Sequence, residues 1–362
     1  MSKIILPPLL LFVVLICSCE QTENQSLNYK THVFYYSWYG NPQHDGGYLH
    51  WNHAVLPHWS DSTWDNAGSF PGKEDIGANF YPKLGCYSSN DTSIIRQHME
   101  MLQRAGIGVL AFSWWGKNSY EDKSLTTYLE IAHSYGVKIT MHIEPFYNSA
   151  EELKTQLDYL ATKYSDHPAL FLYNNKPFYY MYDSYKLKVD AWKKLLHPGG
   201  ELSVRDNSSD ATFIGLWVHK DEEDFFKHSG FDGFYTYFAS DGFVYGSTST
   251  NWQMLSEIAD KNELLFVPCA GPGYKDTRIR PWNEENTKQR NKGRYYEDMF
   301  RAAIEAQPDF IGITSFNEWH EGTQIEPAVP KSINGYTYKD YGTNASPFFY
   351  LDKTKELIEE FK

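Results

Sequence analysis

The chain has 362 residues and a formal net charge of −13, too long for one minimal domain and suited to a single barrel or α/β domain with long loops. The acidic balance argues against a nucleic-acid backbone as partner. Aromatics make up 17%, with 28 Tyr and 11 Trp, which fits either an aromatic-rich core or a surface whose rings stack on sugar C–H faces while phenols bond sugar hydroxyls.

The chain begins "MSKIILPPLLLFVVLICSCEQ". Lys3 precedes an apolar run from Ile4 to Ile16, too short to span a bilayer as a mature helix and typical of a secretory signal. Ile16-Cys17-Ser18-Cys19 resembles a bacterial lipobox. Cleavage before Cys19 would leave its thiol for acylation, and several acyl chains anchor a protein stably where one would not. The alternative is an ordinary secretory signal with an incidental cysteine. Residues 1–18 are thus read as a lipoprotein signal, 19–30 as a polar tether and 31–362 as one domain. The expected location is the cell envelope, with the membrane touched only through the lipid. Without that segment two cysteines remain, Cys86 and Cys269; two free thiols are expected, and no zinc-type spacing is present.

Eight apolar or aromatic runs follow: 32–39, 108–115, 138–145, 176–183, 211–218, 231–238, 264–271 and 310–319. They are continuous rather than alternating, as in strands covered on both faces. Helical patterns lie at 91–106, 124–136, 149–164, 221–230, 251–262, 293–306 and 347–362. The first has an Asp start, a stripe of Ile94, Ile95, Met99 and Leu102, and a Gly stop. Eight strands alternating with helices predict a (β/α)8 barrel, with an open doubly wound sheet as the alternative. No glycine-rich phosphate loop follows any strand. The long connections 40–90 and 272–292 are rich in Trp, His, Tyr and Arg and read as walls of a site.

Barrel active sites lie at the C-terminal ends of the strands. Those ends carry Tyr36, Trp38 and Tyr39; Trp114 and Trp115; His142 and Glu144; Tyr180, Tyr182 and Asp183; Tyr235 and Tyr237; and Asn317, Glu318 and Glu321. A ring of aromatics with several carboxylates and no cysteine nucleophile fits glycoside hydrolysis, which works with two carboxylates. Other readings stay open: single Tyr and Trp residues as core plugs, and Glu144 as a loop salt bridge. Glu326 is expected on the loop surface or as an anchor of the loop. His142 with Glu144 and His320 with Glu321 lack an obvious third metal ligand, so no metal or cofactor is expected.

Seven blocks then occur in order: "YYSWYGNP" (35–42), "HWNH" (50–53), "FYPKLGCYSS" (80–89), "HIEP" (142–145), "GFDGFYTYFA" (230–239), "GPGYKDTRIRPWN" (271–283) and "SFNEWHEGTQIE" (315–326). They resemble glycoside hydrolase family 99, the endo-α-1,2-mannosidases and endo-α-1,2-mannanases. The resemblance implies a (β/α)8 barrel and retaining hydrolysis inside an α-1,2-mannoside chain. It implies a route in which the substrate's own 2-OH, deprotonated by one Glu, displaces the leaving group to give a 1,2-anhydro sugar. By position Glu318 matches the base and Glu321 the acid/base, while Tyr36, His142, Glu144 and Tyr237 match substrate-contact positions. Trp115 stands where the family's bacterial members have Trp and its animal members Tyr. The implied substrate is therefore α-mannan or a related high-mannose glycan; for the oligomeric state, which the sequence does not fix, a monomer is the default expectation. A surface glycan-binding lipoprotein without activity, or a barrel glycosidase of another linkage, are the competing readings.

Overall fold

The computed structural model describes residues 26–58, 68–342 and 345–361. The signal segment and Cys19 lie outside the described residues. Nine parallel strands build the central sheet: β1 (Asn28–Tyr35), β2 (Ile107–Trp114), β3 (Lys138–Ile143), β4 (Lys176–Met181), β5 (Thr212–Leu216), β6 (Gly233–Tyr235), β7 (Leu265–Val267), β8 (Cys269–Ala270) and β9 (Ile311–Ile313). Each pairs in parallel with its neighbour from β1 through β7, and β8–β9–β1 continues the order. β7 and β8 are one stave, split where Pro268 has no N–H to give the ladder. Its first half pairs with β6 (Tyr235 opposite Val267) and its second with β9 (Cys269 opposite Gly312). The eight staves thus form a (β/α)8 barrel, as the spacing of apolar runs predicts. Gly312 is required at the seam: a Cβ there would lie 2.5 Å from the Cys269 sulfur.

Eight helices cover the staves: α1 (Thr92–Ala105), α2 (Tyr120–Ser134), α3 (Ala150–Tyr164), α4 (Val189–Leu196), α5 (Glu223–Ser229), α6 (Trp252–Lys261), α7 (Arg294–Glu305) and α8 (Phe349–Glu360). Local chemistry sets the ends of the first three. The side chains of Asp91, Ser119 and Ser149 accept hydrogen bonds from the first-turn amides of Ser93, Asp122 and Glu152. Gly106 closes α1 in the left-handed region at φ 74°. Helix α4 has no counterpart among the predicted helices. It is eight residues long, its N-cap is a lysine without a side-chain cap, and only Trp192, Leu195 and Leu196 are buried, too few to mark a period. Strand β1 begins at Asn28, four residues before the predicted run, so Tyr36, Trp38 and Tyr39 follow the strand instead of ending it.

The barrel is filled with rings in place of the branched aliphatics usual there. Phe34 stacks on Tyr235 at 5.7 Å and meets Tyr180 at 5.2 Å. His32 hydrogen-bonds the Tyr180 hydroxyl at 2.7 Å and is held neutral by burial, its pKa pushed down to about 3. Cys86 and Cys269 are both free thiols. No helix among the described residues is long and apolar enough to cross a membrane.

Candidate active site

The segment after β9 turns back across the C-terminal mouth of the barrel and is pinned by its own side chains. The Asn317 side chain binds the backbone of Tyr36 in both directions, accepting from its N–H and donating to its C=O, each at 2.8 Å. Tyr39 donates to the Asn317 carbonyl at 2.9 Å. Glu326 is buried and accepts from the Tyr87 hydroxyl at 2.8 Å and Trp319 Nε1 at 2.9 Å, with His98 Nε2 3.3 Å away. The surface alternative for Glu326 is therefore excluded. It is the anchor of the loop, buried because two neutral donors and an imidazole replace its water.

Between these two pins stand Glu318 and Glu321. Glu318 is 5% exposed; its amide donates to Ser315 Oγ at 2.7 Å, and the His320 amide donates to its Oε1 at 3.2 Å. Burial, followed by the charge of Glu321, pushes the Glu318 carboxyl well above the usual range. The Glu321 side chain is a quarter exposed, and Arg280 Nη1 lies 3.1 Å from its Oε1. Burial raises the Glu321 carboxyl too, against the opposing pull of Arg280. Both carboxyls are thus raised by burial, and the charge of Glu321 adds to the effect at Glu318. Arg280 is fixed in turn by Asp276 at 3.1 Å, and Asp276 accepts from Tyr274 at 2.8 Å and Asn283 at 2.9 Å. The connection 272–292 is thus an ordered wall, as its composition predicts.

On the opposite side Tyr36 and Tyr237 meet hydroxyl to hydroxyl. Tyr36 stacks on Trp38 at 4.5 Å, and Tyr237 stacks on His142 at 5.5 Å. His142 Nδ1 is 3.2 Å from Glu144, and its Nε2 is 2.8 Å from the Tyr235 hydroxyl. Glu144 also accepts from Ser113 at 2.7 Å. His142 and Glu144 are therefore partners in an internal network. Burial, then the charges of Glu144 and Glu318, raises the Tyr36 phenol, and Glu321 adds to this; all three carboxylates act on one hydroxyl. Tyr36, His142, Glu144, Tyr237, Glu318 and Glu321 thus belong to one cluster at the C-terminal mouth of the barrel. Trp115 stands one residue past β2 at the rim, 39% exposed.

Arg280 and Asp276 stand beside Glu321 although the sequence alone does not single them out, because a charged pair in a long loop has no periodic signature. The loop after β1 brings His50 and His53 against His320, with the ligand nitrogens of all three within 4.8 Å of one another. Two imidazoles thus join His320 from more than 260 residues away along the chain.

The family model for Glycosyl hydrolase family 99 matches residues 26–362. The chain is 47% identical over 349 residues to the mouse (Mus musculus) glycoprotein endo-alpha-1,2-mannosidase, covering 92% of this chain and 75% of that one. It is 44% identical over 351 residues to the Xenopus laevis enzyme of the same name, covering 92% and 77%. The solved GH99 endo-alpha-mannosidase of Bacteroides thetaiotaomicron superposes with a TM-score of 0.89 at 45% identity, over 93% of this chain and 98% of that one. The barrel, the carboxyl pair at its mouth and these matches together assign the chain to glycosyl hydrolase family 99 as a glycoside hydrolase.

Proposed function

We propose that the chain is an endo-acting, retaining α-1,2-mannosidase that cleaves internal bonds of α-mannan or high-mannose glycans. One observation carries the reading: Glu318 and Glu321 stand on one segment at the barrel mouth, one buried and one partly exposed beside Arg280. The names of the relatives at 44–47% identity support the linkage. Both acids are present at the barrel mouth, which favours an enzyme over a surface glycan-binding lipoprotein.

In an α-mannoside the C2 oxygen and the C1 leaving group are both axial and anti, so O2 can attack C1 from the back. Glu318 takes the 2-OH proton as O2 bonds to C1. The C1–O bond breaks, and Glu321 gives its proton to the departing oxygen. Water deprotonated by Glu321 then opens the 1,2-anhydro ring at C1, and O2 recovers its proton from Glu318. Two inversions give retention. The cycle needs one proton on the pair, placed on Glu321 when the bond breaks. Burial raises both carboxyls; a 2-OH donating to Glu318 favours its charged form and a glycosidic oxygen accepting from Glu321 favours the protonated acid, so the substrate sets the proton in place.

Tyr36, Tyr237, His142 and Glu144 form the wall against which the sugar is held. Trp115 at the rim supports the bacterial-type preference for a mannose on the non-reducing side, and so α-mannan over a glucosylated N-glycan. A lipid on Cys19 would hold the monomer at the cell envelope. The test is a digest of yeast mannan beside a glucosylated high-mannose N-glycan, with products sized and anomers followed by NMR. Release of α-configured oligosaccharides from mannan is the expected result; single mannose units or an inverted anomer overturn the reading.

A further inference from the structure

We propose that His50, His53 and His320 form a binding site for a transition-metal cation of the zinc class, beside the sugar cleft and separate from the hydrolytic chemistry, which uses none of their free nitrogens. The three rings come from the loop after β1 and the loop after β9. Each offers one nitrogen to a cluster no wider than 4.8 Å.

The ring orientations leave nitrogens available. His320 is buried, and its Nε2 has no hydrogen-bond partner among the described residues. Its Nδ1 lies 3.8 Å from Glu318 Oε1 on the other side of the ring. A metal-bound imidazole commonly turns its second nitrogen toward a carboxylate in this way. His53 Nδ1 donates to the Ala54 carbonyl at 2.7 Å, which fixes the tautomer and leaves Nε2 with a lone pair. His50 stacks on Trp38 at 4.2 Å and 10°, which sets the plane of its ring. Rings that served only as a stacked wall would not need a buried nitrogen without a partner.

Charge and size are compatible with a divalent ion. Burial holds all three imidazoles in the neutral, ligating form. Arg280 is the cation that acts on His53 and His320, and it is itself neutralised by Asp276 and Glu321. Zinc binds imidazole nitrogen at about 2.0–2.1 Å, which sets the nitrogens of a tetrahedral site about 3.4 Å apart. Three ligands leave a fourth position for water or a sugar hydroxyl.

The test uses the full chain without a histidine tag, stripped with EDTA and dialysed against zinc chloride. Bound metal is counted by atomic absorption, and the Kd is read by competition with a chromophoric chelator. Expected are one zinc per chain at micromolar affinity or tighter and, with cobalt, the visible absorption of a four-coordinate ion. His50→Gln and His53→Gln should each weaken zinc at least tenfold, while His133→Gln, on the exposed face of α2, should not. Absence of bound zinc in the unaltered protein overturns the proposal without any variant. So does equal binding by His50→Gln and His53→Gln when circular dichroism shows both folded, or a loss of binding in His133→Gln.

Discussion

Glu326→Ala tests whether the carboxylates at this mouth divide into an anchor and a reacting pair. Tyr87 and Trp319 both donate to Glu326 Oε2, at 2.8 and 2.9 Å, in a site with no solvent exposure. Truncation leaves two buried neutral donors unpaired, at about 1–3 kcal/mol each, so the expected loss is about 2–6 kcal/mol. Glu326→Gln behaves differently. Its amide oxygen can occupy the Oε2 position and accept both bonds, while its NH2 faces His98 Nε2. The expected cost is about 1 kcal/mol. Urea denaturation with a common m-value reads both variants. Tyr87→Phe removes one donor, and the double variant with Glu326→Ala should cost less than the sum of the two singles. Activity per folded molecule should fall in Glu326→Ala, because the loop it holds carries Glu318 and Glu321, and should survive in Glu326→Gln. The reasoning fails if Glu326→Ala lies within about 0.5 kcal/mol of the unaltered protein. It fails equally if Glu326→Gln is fully stable yet loses about a hundredfold or more in kcat, the effect of removing a group that transfers protons.

Glu321→Gln should lower kcat on a natural mannan by about 10²–10⁴-fold yet spare an α-mannosyl fluoride of suitable length, whose leaving group needs no proton. Glu318→Gln should be poor on both, and the reverse pattern would exchange the two roles. Arg280 draws the Glu321 carboxyl downward against burial, so Arg280→Gln should raise it. The alkaline limb of kcat/KM, which follows loss of the acid's proton, should then move to higher pH; an unmoved limb or one moved to lower pH refutes Arg280 as the group positioning that acid. His32 is neutral when folded, its pKa lowered from 6.5 to about 3 by burial, while in the unfolded chain it gains a proton below 6.5. Its contribution is present above pH 6.5 and lost as pH falls toward 3. His32→Gln should flatten the pH dependence of the denaturation midpoint in that window, and an unchanged slope counts against it.

The barrel was legible in the sequence because both faces of every stave are buried, and a strand covered on both sides must be apolar throughout. That is why eight runs announce eight staves even where the runs and strands differ at their ends, as with Tyr36 to Tyr39 beyond β1. The seven blocks named the family because catalytic side chains at strand ends are held in fixed local sequences. Helix α4 escaped because three buried side chains in eight residues make no period. The split stave at Pro268 was visible only once both neighbours were in place.

The chain alone thus determines that Glu318 and Glu321 follow closely on the last stave, since their spacing from it is local. What tertiary structure decided is the environment that separates three neighbouring acids into different kinds of group. Glu326 lies five residues beyond Glu321 and is sealed by Tyr87 and Trp319. Glu321 stays partly open and has Arg280, from a loop some forty residues earlier, beside it. Whether a carboxylate anchors or reacts depends on which donors and charges surround it. Those come from distant segments, and no local pattern records them.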